Sequence, residues 1–351
     1  MNTAEFYAEL KQGVLRPCYL FEGEEEYTKE SALQALRAKV LAGDFADMNE
    51  TVLIDPAADA LIAAAETLPF LADKRFVVVR ECGQLASGRG KKEEEGGSAA
   101  SPRGGENLAD YISRSPDTAC VVFFERGKAA ATRKLYKQIA KAGGLVSFDT
   151  LSHGDLIKWI AKELKQTGQN ISRKTAEQII FTVGTDMTLL SNELAKLAAY
   201  AHGCNVVTEE DVTAVCTKTV EYKVFDLSDA VVAGDAERAT SLMNAMLRDG
   251  EQRLMLLALL QRQYRQLLFA KILSGSRVAT DEAARVIGAP PFVVRKLTGI
   301  ARGYARDELE WAYRMLVDTE FLVKSGQRPE EGALEQAVYQ LLARRMEKQH
   351  A

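Results

Sequence analysis

The fold is decided by one stretch, Pro17-Cys-Tyr-Leu-Phe-Glu-Gly-Glu-Glu-Glu-Tyr-Thr28. Pro17 to Phe21 is a short apolar run that reads as a strand. Glu30 to Leu41 follows as a helix, with Leu33, Leu36, Val40 and Leu41 on one face. The same alternation continues outward. Thr51–Ile54, Arg75–Val79, Thr118–Phe124 and Leu145–Phe148 are further strand-like runs. Ala57–Glu66 and Arg133–Ala142 are helical between them. Continuous apolar strands separated by helices predict a parallel sheet with helices on both faces. Right-handed crossovers leave few topologies for it.

Such a sheet invites a nucleotide at the turn after its first strand. The usual device is G-x-x-x-x-G-K-[ST], whose backbone N–H groups cradle phosphates. Here the turn is Gly23-Glu24-Glu25-Glu26, with no Lys before Lys29. Carboxylates at that place repel a triphosphate. The Gly-Lys pairs Gly90-Lys91 and Gly127-Lys128 have neither the upstream Gly nor the following Ser or Thr. After the third strand, where a nucleotidase keeps Asp-Glu, the chain reads Arg80-Glu81. A lone Glu81 is weak support for a metal. The acids Glu24 to Glu26 are ordinarily favourable dipole placement at a helix start, and metal binding is the rarer use. The reading is therefore a nucleotide-binding architecture with its phosphate chemistry missing. No other catalytic set replaces it. His153, His202 and His350 fall at expected helix ends, His202 with Cys204 is too small a cluster for a metal site, and no G-x-S-x-G elbow occurs.

The rest of the chain changes character twice. Ser87 to Glu106 is rich in Gly, Ser, Lys and Glu and reads as a flexible surface insertion, its Lys91-Lys92 pair offset by Glu93 to Glu95. From about Thr150 the strand signal vanishes. Ser152, Ser172, Asp186 or Thr188, and Thr208 look like the starts of four helices. Beyond Tyr222 the pattern is helical to the end, broken near Gly234, Gly250, Gly275, Pro290-Pro291 and Pro329. Leu256, Leu257, Leu260, Tyr264, Leu267, Leu268 and Leu273 fit one broad helical face, mostly a core. Arg262, Arg265, Arg295, Lys296 and Arg302 are candidate DNA-facing positions, although a solvated face is the ordinary reading of each alone.

Composition sets the outer bounds. The chain has 351 residues and a formal net charge of -4, enough length for two or three domains. Residues 1–86 hold 8 Lys or Arg against 15 Asp or Glu, so the acid excess sits around the sheet. That balance argues against a protein that coats DNA through bulk positive charge. No run approaches the roughly 18 apolar residues of a membrane span. The acidic first residues predict no secretory signal. An odd number of cysteines without a C-x-x-C pair predicts reduced thiols and a cytoplasmic protein.

Several stretches resemble one family. Cys18-Tyr-Leu-Phe-Glu-Gly-Glu-Glu-Glu-Tyr27 is similar to the first strand and degenerate phosphate loop of the delta subunit of bacterial DNA polymerase III. Thr67-Leu-Pro-Phe-Leu-Ala-Asp-Lys-Arg-Phe-Val-Val-Val79 resembles the next signature of that family. Asn192-Glu-Leu-Ala-Lys-Leu197, Val224-Phe-Asp-Leu-Ser-Asp-Ala230 and Phe321-Leu-Val-Lys-Ser-Gly326 follow in order, so the likeness runs from about residue 17 to 345. The Ser87–Glu106 insertion falls outside it.

The resemblance implies a clamp-loader subunit of three parts. Residues 1–149 would be an AAA+-like α/β domain carrying the 87–106 insertion, 150–220 a small helical lid, and 221–351 an all-α collar for oligomerisation. It further implies a chain without a catalytic site of its own, inside a holoenzyme with DNA-directed DNA polymerase activity. ATP and Mg would be bound by partner subunits, with no cofactor on this chain. The implied partners are the sliding clamp (beta subunit), the gamma or tau and delta-prime loader subunits, and primed DNA in the assembled loader. The implied place is the cytoplasmic, nucleoid-associated replisome. In this family an exposed apolar pair enters a pocket on the clamp and helps open its ring, and the matching positions are Phe70 and Leu71, flanked by Leu68 and Pro69. Some relatives have Leu then Phe; the order here is reversed. Pro69 disfavours helical geometry at Leu68, which ends the Ala57–Glu66 helix just before the pair. The residue pattern alone would bury both side chains. Two rival readings stand beside this one: an active AAA+ ATPase with an unusual phosphate loop, and a helical nucleic-acid-binding adaptor.

Overall fold

A computed structural model describes residues 1–86, 108–275 and 278–350, without the side chains of 348–350; the whole of the 87–106 insertion lies outside the described residues. The chain divides into two compact units, Met1–Ser152 and His153–Ala351.

In the first unit the order is α1 (Thr3–Lys11), β1 (Cys18–Glu22), α2 (Glu26–Val40), β2 (Glu50–Ile54), α3 (Ala58–Glu66), β3 (Arg75–Arg80), α4 (Leu108–Ile112), β4 (Ala119–Phe124), α5 (Lys134–Lys141) and β5 (Leu145–Ser147). The five strands form one sheet in the order β2-β3-β4-β1-β5, every pair parallel. The pleat divides the core in two. Leu20, Val77, Val79, Val121 and Phe123 face α3, α4 and α5 through Leu61, Tyr111 and Ile139. Tyr19, Phe21, Phe76, Val78 and Val122 face α1 and α2 through Phe6, Leu33 and Leu36. Both faces are buried, so the strands β1, β3 and β4 read as unbroken apolar runs.

Parts of this unit depart from the sequence reading, the short helix α4 among them. Helix α1 was not expected. An Asn2 capping box with Glu5 starts it, and Phe6 and Leu10 bury its inner face. Strand β2 is an edge strand with Val52 and Ile54 exposed, so its apolar run does not signal burial.

The second unit is helical: α6 (His153–Gln166), α7 (Arg173–Val183), α8 (Met187–Tyr200), α9 (Glu209–Val215), α10 (Val220–Ala233), α11 (Ala236–Arg248), α12 (Arg253–Ser274), α13 (Thr280–Ile287), α14 (Pro291–Ala301), α15 (Arg306–Lys324) and α16 (Ala333–His350). Ser172, Asp186 and Thr208 cap α7, α8 and α9 through their side-chain oxygens, as the sequence predicts. The expected absence of strands is corrected by β6 (Asn170–Ile171) and β7 (Val206–Val207), a parallel ladder two residues long. Two residues are too few to leave a period in the sequence. One contiguous core runs through α10 to α16, from Val224 to Leu342. Helix α7 meets it where Phe181 packs edge-on against Phe225, with ring centroids 4.9 Å apart. Among the described residues no helix is long and apolar enough to cross a membrane.

Candidate functional site

The turn between β1 and α2 is held closed by its own side chains. Gly23 has φ +121°, and a Cβ there would lie 2.1 Å from the Phe148 carbonyl oxygen, so only glycine fits. Its N–H donates to Gly127 O at 2.7 Å, and the Glu25 N–H donates to Phe148 O at 3.1 Å. Glu25 caps α2 by accepting from the Tyr27 N–H. In a phosphate cradle such amides point at the ligand. Here they are committed to the protein.

Lys29 fills the space behind the turn. It is fully buried, and its Nζ donates to Gly23 O at 2.8 Å, to Glu125 O at 2.7 Å and to Glu26 Oε1 at 2.7 Å. The ammonium also stands 5.0 Å from the centre of the Phe124 ring. A loop that would offer N–H groups to an anion instead offers carbonyls to an internal cation. Glu24 and Glu26 remain exposed around it.

The neighbouring strand ends are likewise occupied. Arg80 Nη2 donates to both carboxylate oxygens of Glu30, 3.0 Å to each, and the guanidinium lies over the Phe124 ring. Glu81 pairs with Arg126 at 3.0 Å. Glu22 accepts from the Ala129 N–H and the Tyr136 hydroxyl. Among the described residues no group of three or more His, Cys, Asp or Glu is arranged to hold a metal.

Glu125 accepts from the Cys82 N–H at 2.7 Å, and burial pushes its carboxyl up to about 7, with Glu81 and Asp55 adding to the rise. A carboxyl raised on folding binds its proton more tightly in the native state. Its contribution to stability is therefore present below about 4.5 and is lost as pH rises through about 7. Glu125→Gln keeps an acceptor for Cys82 and removes the charge. The expected gain at pH 8 is on the order of 1 kcal/mol after allowing for solvent access. It should shrink toward zero or reverse at pH 5, as read from urea melts at both values.

The second candidate place lies at the opposite, N-terminal edge of the sheet, on the connection from α3 to β3. Helix α3 ends at Glu66, as Pro69 predicts. Leu68, Phe70 and Leu71 follow with 76%, 47% and 74% of their surfaces exposed. The expectation of burial drawn from the residue pattern fails for Phe70 and Leu71. Leu71 has φ +47°. A non-glycine residue there costs roughly 1–2 kcal/mol, so its surroundings must hold it. Phe45, itself exposed, meets Phe70 edge to face with centroids 5.4 Å apart. Below them Arg75 donates to Thr51 Oγ1 and to Met48 O, and Lys74 Nζ donates to Asp117 O. The sequence reading missed Phe45. Its only signal was a large apolar residue in a polar loop.

Of the other singled-out residues, His153, Arg295 and Lys296 make structural contacts. His153 opens α6 and stacks on Phe292 at 4.9 Å, and burial lowers its pKa. Cys204 is exposed while Cys18, Cys82, Cys120 and Cys216 are buried, and all five are free thiols. Arg295 pairs with Glu177 at 3.1 Å, and Lys296 sits 4.0 Å from the centre of the Phe181 ring. Both belong to the packing between α14 and α7.

Comparison with known proteins covers nearly the whole chain. Residues 19–149 match the family model described as DNA polymerase III, delta subunit, and residues 221–341 match the DNA polymerase III delta subunit, C-terminal domain. Residues 152–214 between them match a model described as a middle domain. DNA polymerase III subunit delta of Bacillus subtilis is 24% identical over 97% of both chains. The probable DNA polymerase III subunit delta of Aquifex aeolicus is 22% identical, over 83% of this chain and 81% of that one. The solved structure of a Bacillus subtilis DNA clamp loader delta protein matches with a TM-score of 0.58 at 22% identity, covering 97% of this chain and 99% of the other. That likeness bears out the expected fold, an N-terminal α/β domain with a parallel sheet followed by helical parts.

Proposed function

Since the chain belongs to the DNA polymerase III delta subunit family, we propose that it binds the sliding clamp through Phe70 and Leu71 and helps open its ring without hydrolysing ATP. The observation that carries this reading is the exposure of two adjacent large apolar side chains on a braced turn. Leu68 and Pro69 flank them as part of the same element. A clamp pocket would bury what water now touches. Opening needs no chemistry on this chain. It needs only higher affinity for an open or relaxed ring than for a closed one.

The Gly23–Glu26 turn supports the non-catalytic half of the reading. The Gly23 and Glu25 amides are bonded to carbonyls, Glu24 and Glu26 are exposed, and Lys29 occupies the interior. ATP and Mg would then be bound by the gamma or tau neighbours, with delta-prime completing the ring and primed DNA passing through it. The lid and collar would be separate functional parts, with the collar as the oligomerisation surface. The place of action would be the cytoplasmic replisome.

The test is a pull-down of the sliding clamp together with an ATPase assay on the purified chain. The expected result is clamp capture and no ATP turnover above background. Turnover that is lost in Glu81→Gln would overturn the non-catalytic reading. Failure to retain the clamp would overturn the docking reading.

A further inference from the structure

We propose that Asn49 is the positioning residue of the Phe70–Leu71 surface, an inference that rests on the docking reading above. Asn49 ends the short 3-10 turn Ala46–Asn49, just before β2, and is fully buried. Its Oδ1 accepts from the Phe70 N–H at 2.6 Å. Its Nδ2 donates to Phe70 O at 2.9 Å and to Phe45 O at 3.0 Å. Both Nδ2 hydrogens are thus used, and turning the amide over would face an oxygen against two carbonyls. The side chain presents to Phe70 the donor and acceptor that a neighbouring strand would present.

The consequences fall on the exposed pair. Phe70 is gripped through its backbone, so its ring is free to face outward against Phe45. Leu71 comes next at φ +47°, a conformation it would rarely adopt in a free loop. A turn fixed in advance loses less entropy when a partner seats on it. Asn49 touches no partner itself. It would act by keeping the knob in its docking shape.

The experiment measures clamp affinity and amide hydrogen exchange on the full chain, well below its melting temperature. Asn49→Ala should raise the clamp Kd roughly tenfold, an effect typical of lost preorganisation. It should speed exchange of the Phe70 amide while the β3 amides stay protected. A general loss of fold would expose β3 as well, so the two causes separate. Should Asn49→Ala not fold, Asn49→Ser, which is small and can hold one of the bonds, should show the same changes at smaller size. The inference is overturned if the Phe70 amide exchanges fast and clamp affinity stays at the wild-type value. Phe70→Ala with Leu71→Ala serves as the reference. If that pair binds the clamp normally, the docking reading fails; if it loses binding while the Asn49 variants do not, only the positioning role fails.

Discussion

Alanine at both Phe70 and Leu71 is expected to weaken clamp binding by about 2–4 kcal/mol, a Kd increase of roughly 30- to 1000-fold. Burying a whole large apolar side chain is worth roughly 1.5–3 kcal/mol. Phe70 is already half covered by its own chain, so only its outer half remains to be gained, while most of Leu71 is available. The loss should appear mainly in the dissociation rate, because neither residue carries charge to steer encounter. Stability should hardly change, since exposed positions contribute little to the core. Surface plasmon resonance on immobilised clamp, with a melting curve for each variant, checks both halves. A double variant that dissociates at the wild-type rate would refute the assignment of the pair.

Lys29→Met should have the largest effect on stability. Methionine can fill the volume but cannot donate. Gly23 O and Glu125 O would each lose the Nζ donor, and a buried group left unmet costs roughly 1–3 kcal/mol. The Glu26 contact adds less, since that carboxylate is half exposed. The total expected is about 3 kcal/mol or more, corresponding to a fall of roughly 6–12 °C in the transition of the first unit. Differential scanning calorimetry should show that transition move while the transition of the helical unit stays in place. On the proposed non-catalytic reading the variant should bind no ATP, because the Gly23 and Glu25 amides remain bonded to Gly127 and Phe148. If Lys29→Met melts like the wild type, the internal cation does not hold the turn.

The same two places show how far a sequence can be read. The sheet was legible because β1, β3 and β4 are buried on both faces, and two buried faces write an unbroken apolar run. The helix starts were legible because a cap is a local contract between a side chain and an amide three residues on, as at Thr208 with Asp211. The departure from the phosphate-loop motif was legible as well, since the motif depends on residue types within one turn. Helix α1 escaped because it carries only two buried apolar residues, too few to make a period. The edge position of β2 was not legible, because an apolar run does not say which strand ends a sheet.

The sequence by itself determined what lies along one stretch of backbone: strand, turn, helix, and a phosphate loop written in glutamates. Only the tertiary structure decided what meets across the chain. It set Lys29 against Glu125, 96 residues away, and so turned an empty-looking loop into a filled one. It set Asn49 against Phe70 and left Phe70 and Leu71 outside, where composition alone would have placed them in the core. The physical reason is the same in each case. Burial and long-range hydrogen bonds depend on which elements the fold brings side by side, and that information resides in no single stretch.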